Sequence, residues 1–420
     1  MLRMPFCRRV SLLALFCLAA TTASAEMPHN VILLIGDGMG SEHVRAASFY
    51  LYGEDGKLVM QSLPYHGEAI TDSLNSPARP TDSAAAATAL ATGCKVANGV
   101  LSLRITTQPA ATSAQSQATT AATTQPVGVP IKTVLEVAKE LGKATAVLTT
   151  TDITDATPAG FTVHVSARGL APDIAKQQIQ QRADVMMGGI GGGLTSEMVT
   201  QAGYLPITTR EELLAISGTV TRVWGLFGKS HMPSEYADAQ RKTATQPATQ
   251  DGRDYDTLPH LSEMVPVALS IVEKDPDGFF MMLEGGCIDK AAHKNLLPNE
   301  VCETVEFDKA VAAVMQWAKG RGDTLVIITA DHETGGLTID SPNDKGQFPT
   351  VNYTTKGHTR ANVPVWAWGV GGGVIDGAVI DNTDIHALML GQYAPAPAMA
   401  KKAPASRPAK APALEPAMAN

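Results

Sequence analysis

Cysteine is scarce in this chain: five residues in 420, and Cys7 and Cys17 fall within the first 25. The other three, Cys94, Cys287 and Cys302, allow at most one bridge. In an oxidising compartment Cys287 and Cys302 could pair, or all three could remain buried thiols; the sequence leaves both open. Long apolar runs are lacking too. The N-terminal one, Val10 to Ala20, is shorter than the roughly 20 residues that span a bilayer. Positive charge is short everywhere except at the ends. The net charge is −8, yet the three arginines of the first segment and the four bases and one acid of the tail contribute +6, so residues 26–391 carry −14. That balance excludes general nucleic-acid binding and suits a protein whose acids hold cations.

Arg3, Arg8 and Arg9, the run after them and Ala23-Ser24-Ala25 read as a secretory signal cut after Ala25, so the chain is expected to be exported, periplasmic or secreted. Residues 392–420, rich in Ala and Pro, are expected to form a disordered tail. The polar stretch Thr106 to Gln125 and the shorter Thr243 to Gln250, which repeats its TQPA wording, are expected to be surface loops. One domain, 26–391, remains between the ends.

Within it, the apolar runs Val31–Ile35, Thr145–Leu148, Phe279–Leu283, Leu325–Ile328 and Val363–Trp368 read as buried strands. Helical patterns lie between them, for example Ile131–Glu140 and Val305–Ala318. This alternation predicts an α/β fold: a mostly parallel central sheet with helices on both faces. Four of the runs lead into metal-capable residues. Gly36-Asp37-Gly38 follows the first, Thr149 to Thr157 the second, Glu284-Gly285-Gly286 the third and Asp331-His332-Glu333 the fourth. Ligands in open α/β sheets bind at the carboxyl ends of strands.

The segment Pro80 to Gly93, PTDSAAAATALATG, predicts a helix that starts at Ser83 and ends at Gly93. Asp82 or Ser83 could simply cap it. Alternatively, Ser83 at a helix N-terminus faces amides that favour an anion such as phosphate. No G-x-S-x-G elbow surrounds Ser83, so activation by a metal is favoured over a Ser-His-Asp triad.

Taken in order, NVILLIGDGMGS (30–41), TDSAAAATALATG, DATPAGFTVHVSAR (155–168), EGGCIDKAAH (284–293), TADHETGGL (329–337) and GHT (357–359) resemble the alkaline phosphatases over about residues 30 to 370. The resemblance implies a phosphomonoesterase acting on small phosphorylated substrates, with two zinc ions and one magnesium ion, in a homodimer. It implies that Asp289, His293 and His358 hold one zinc, and that Asp37, Asp331 and His332 hold the other, with Ser83 as nucleophile. Asp37 would also reach a magnesium site with Thr157 and Glu284. Mixed imidazole and carboxylate suits zinc, and an all-oxygen set suits magnesium. Arg168, oriented by Asp82, would grip phosphate. Asp155 and Lys290 resemble the pair of the enteric bacterial enzymes, holding magnesium-bound water and phosphate respectively; in animal relatives both positions are His. Only 25 residues separate His332 from His358, which leaves little room for the crown insertion of animal enzymes. The insert after Val100 is outside the family pattern. A phosphodiesterase on the same scaffold and a noncatalytic phosphate or metal scavenger are the competing readings. A sulfatase would need a C/S-x-P-x-R context, whereas four alanines follow Ser83.

Overall fold

A computed structural model describes residues 26–109, 124–243 and 257–393; the expected signal, most of the tail, 110–123 and most of Thr243 to Gln250 lie outside the described residues. Ten strands form one sheet. In chain order they are β1 (Asn30–Gly36), β2 (Tyr65–Ile70), β3 (Ala144–Asp152), β4 (Val185–Gly189), β5 (Leu205–Ile207), β6 (Val223–Leu226), β7 (Phe279–Gly285), β8 (Thr324–Ala330), β9 (Val363–Gly369) and β10 (Val379–Asp381). Their spatial order is β10-β2-β9-β8-β1-β7-β3-β4-β6-β5. Strands β1, β7 and β8 are buried at every residue, as continuous Val, Ile, Leu and Phe runs covered on both faces require.

The sheet is mostly parallel, as expected, and β9 is the exception: it runs antiparallel to both β8 and β2. No helix separates β8 from β9. The chain leaves the end of β8, makes two short antiparallel pairs (Glu333–Thr334 with His358–Thr359, and Thr338–Ser341 with Thr350–Asn352), and re-enters the sheet from that same end. Without a crossover the return must be antiparallel. His358 is thereby delivered to the end where β1, β7 and β8 finish.

Helices α1 (Ser41–Tyr52), α5 (Leu261–Val272) and α7 (Leu297–Ala318) pack together, and α2 (Ser83–Thr92), α3 (Val134–Glu140), α4 (Ala156–Thr162) and α8 (Asn382–Met389) form a second group. Helix α3 starts three residues later than its apolar pattern, because Thr133 and Glu136 cap it reciprocally. Helix α7 starts eight residues earlier than expected, with Pro at its first turn. Its first turns bury Glu300 and Glu303, which hid the apolar period. The stretch from Thr106 is not a loop throughout. Leu103–Pro109 pairs with Thr124–Pro130 as an antiparallel ladder, so both ends of the insert are strands. All three thiols are free, so Cys287 and Cys302 do not pair. Among the described residues no helix is long and apolar enough to cross a membrane.

Candidate active site

Register brings the expected residues to one level. Gly36 of β1 sits opposite Ala330 of β8 and Gly285 of β7, and Glu284 of β7 lies beside Thr149 of β3. The residues that follow, Asp37 and Asp331, therefore leave adjacent strands side by side. The loop after β1 is held by its own backbone: Gly38 N–H donates to Asp331 Oδ1 at 3.0 Å, with Gly38 at φ +71°. A Cβ at Gly38 would lie 2.9 Å from both Asp289 Oδ1 and Thr334 Oγ1, so glycine is needed there.

Ser83 is the first residue of the fully buried α2. Asp82 caps the helix by accepting from Ala85 N–H at 3.0 Å, and also accepts from Gly99 N–H at 3.0 Å. Of the two candidate caps, Asp82 is the one that caps, which leaves Ser83 Oγ free to face His332 Nε2 at 3.2 Å.

Asp289, on the short helix α6 (Cys287–Ala292), comes together with His293 and His358. His293 Nε2 is 3.3 Å from Asp289 Oδ2, and His358 Nε2 is 3.7 Å from Asp289 Oδ1. The tautomers follow from the backbone. His293 Nδ1 donates to the carbonyl of Lys356 at 2.6 Å, and His358 Nδ1 to that of Thr81 at 2.7 Å. In the neutral rings both Nε2 atoms are then lone-pair acceptors, yet they face each other at 3.2 Å.

The same logic holds at His332. Thr334 Oγ1 gives its one hydrogen to Asp289 Oδ1 at 2.7 Å, so it accepts from His332 Nδ1 at 3.2 Å. His332 Nε2 then presents a lone pair to Asp331 Oδ2 at 3.2 Å and Asp37 Oδ1 at 3.6 Å. Neither of those buried oxygens has a hydrogen-bond partner.

Electrostatics report the same deficit of positive charge. Burial, then Asp331 and Asp289, pushes Asp37 well above the usual carboxylate range. Burial and the nearby acids push Asp331 up to about 8. Burial also raises Glu284 to about 7, although Thr149 donates to it. Thr157 Oγ1 is itself buried and makes no hydrogen bond of good geometry. Burial pushes His332 well below its ordinary value and lowers His358.

Asp155 caps α4 and joins the two cations beside this cluster. Its Oδ1 accepts from Arg168 Nη2 and its Oδ2 from Lys290 Nζ, both at 2.9 Å. Arg168 Nη1 also reaches Asp82 Oδ2 at 3.3 Å. Against the effect of burial, Lys290 and then Arg168 hold the Asp155 carboxyl well below the usual range. Every expected site residue is therefore in one constellation. Thr334, Thr149 and Thr151 were not singled out as site residues from sequence. For Thr334, its place three positions beyond Asp331 was the available signal; Thr149 and Thr151 fall inside the strand that ends at Asp152.

The model of the alkaline phosphatase family matches residues 28–192 and 190–352. Streptomycin-6-phosphate phosphatase of Streptomyces griseus is 33% identical over 430 residues, covering 87% of this chain and 91% of that one. Alkaline phosphatase of Escherichia coli K12 is 31% identical over 373 residues, covering 78% and 74%. The solved alkaline phosphatase of the Antarctic bacterium TAB5 superposes with TM-score 0.67 at 26% identity, covering 87% of this chain and 98% of its own. A mutant of that enzyme, 27% identical to this chain, has magnesium bound in its M3 site. With this fold, this cluster and these relatives, the chain belongs to the alkaline phosphatase family and is a phosphomonoesterase hydrolase.

Proposed function

We propose that the chain hydrolyses phosphate monoesters through a phosphoserine on Ser83, in a centre of two zinc ions and one magnesium ion. One observation carries this reading: acceptor atoms face acceptor atoms. His293 and His358 Nε2 oppose each other, and His332 Nε2 opposes the unpartnered oxygens of Asp37 and Asp331. A bound cation, or a proton on one member of each pair, relieves such contacts, and several of them gathered in one cluster favour metal. Asp289, His293 and His358 form one donor set fit for zinc, and Asp37, Asp331 and His332 the other. The unpartnered Thr157 hydroxyl with Glu284 and Asp37 offers the oxygen set that suits magnesium.

Bound there, the ions supply Lewis acidity at the entering and leaving oxygens. The residues of the chain do the rest. Ser83 Oγ, held at the start of α2, attacks phosphorus as the ester P–O bond breaks and the alcohol leaves with a proton. Water then attacks the phosphoserine, releasing inorganic phosphate and returning the serine hydroxyl. Arg168 offers two N–H groups to nonbridging oxygens, with its plane fixed by Asp82 and Asp155. Lys290, paired to the far oxygen of Asp155, adds a second positive charge beside the same site. The substrates are small phosphate esters. Export by residues 1–25, an independent domain over 26–391 and a homodimer complete the proposal; each rests on sequence pattern or family resemblance.

Hydrolysis of an aryl phosphate monoester and of the matching diester, with zinc and magnesium and then with a chelator, tests the reading. Monoester turnover that stops on chelation and returns with metal supports it. Diester turnover as fast as monoester turnover, or activity indifferent to metal loss, overturns it.

A further inference from the structure

Thr334 lies in the two-residue strand Glu333–Thr334, wholly buried, and its backbone pairs with His358. Its hydroxyl hydrogen goes to Asp289 Oδ1 at 2.7 Å and its lone pair takes the Nδ1 hydrogen of His332 at 3.2 Å. Asp289 belongs to one proposed zinc set and His332 to the other. Thr334 N–H donates to the carbonyl of Gly38 at 3.1 Å, beside Asp37. A single residue thus touches, by side chain or backbone, ligands or ligand-bearing loops of both sets.

We infer that Thr334 is a positioning residue that couples the two zinc sites through its hydroxyl. The inference rests on the metal centre proposed above. A hydroxyl that donates to a ligand carboxylate fixes which oxygen of Asp289 is left for metal. Accepting from His332 Nδ1 leaves Nε2 as the ligand atom and sets the ring plane. Each bond orders the oxygen that makes the other, so a cation that draws Asp289 into place also settles His332. Filling one site is therefore expected to raise the affinity of the other. No other side chain among the described residues hydrogen-bonds to both Asp289 and His332.

Zinc affinities of the full chain are measured by competition with a chromophoric chelator, and coordination by the visible spectrum after cobalt substitution. Thr334→Val keeps the branched shape and removes both bonds. It is expected to weaken both sites about 10–100-fold, the usual effect of losing an outer partner of a metal ligand, and to alter the cobalt spectrum. Thr334→Ser keeps the hydroxyl and is expected to stay within about twofold of wild type. Affinities unchanged in Thr334→Val, or a loss confined to one site, overturn the coupling. If the valine variant does not fold, a Thr334→Ser variant that keeps the hydroxyl yet weakens both sites about 10–100-fold overturns it instead. Wild-type protein that takes up no zinc overturns the metal centre itself, a result separate from failure of the bridge alone.

Discussion

Removing the metals turns a set of ligands into a set of buried acids, and the consequence for stability can be worked out. Glu284 moves from its ordinary 4.5 to about 7 and Asp331 from 3.8 to about 8 when no cation offsets their burial. Asp37 is raised in the same direction. A raised acid binds its proton in the folded state at a pH where the unfolded chain has lost it. That stabilisation is complete below the ordinary carboxylate range and is lost as pH rises through the folded values. His332 and His358, lowered by burial, act oppositely, but only below about pH 6.5, where the unfolded chain still protonates histidine. Between about pH 6.5 and 8 the opposing effect of the histidines fades and the acids dominate. With about 1.4 kcal/mol for each tenfold change, Glu284 and Asp331 together lose roughly 2 kcal/mol of stability across that window. For a domain of this size that is a fall of a few degrees in Tm. The assay is thermal unfolding with excess zinc and magnesium, and after chelation with metal loss confirmed. The gap between the two curves should widen from pH 6.5 to 8. A constant gap, or a chelated protein that gains stability over that window, would refute the reasoning.

Asp155→Asn removes one charge that two cations share. Because Arg168 and Lys290 are about 30% exposed, the loss is set at roughly 1–3 kcal/mol at neutral pH, visible in chemical denaturation. Asp155 titrates below its ordinary value, so its contribution is present above about pH 4 and lost as pH falls further; the difference from wild type should close in acid. Lys290→Ala removes a cation next to the phosphate position and should raise Ki for inorganic phosphate about tenfold at saturating metal, whereas an unchanged Ki would assign Lys290 to the ion pair alone.

The strand ends were legible because β1, β7 and β8 are buried on both faces, which forces uninterrupted apolar runs whose ends stand out. Their adjacency was not: strand order is decided by packing of crossovers between segments nearly 300 residues apart, such as Asn30 and Thr324. The reversed direction of β9 was hidden for the same reason, since its composition is that of any buried strand. Helix α2 was readable from its alanines and Gly93, and those alanines permit the close approach of α4, where a Cβ on Gly160 would lie 2.8 Å from Ala87 Cβ. The ends of the polar insert misled, because a two-stranded ladder outside the main sheet needs no apolar alternation. Which acids and histidines gather at the strand ends was legible through motif order. The role of Thr334 was not, because a threonine's significance lies in which two atoms it meets, and those come from residues 45 and 2 positions away.

The central claim, that Ser83 carries the phosphoryl group, is tested most directly by rapid quenching of turnover in acid, followed by peptide mass mapping. The account predicts a phosphoryl mass on the peptide that contains Ser83, and none in Ser83→Ala, whose turnover should fall by orders of magnitude with metal content intact. Steady-state turnover with no phosphopeptide, and a Ser83→Ala enzyme with near wild-type kcat, would contradict it.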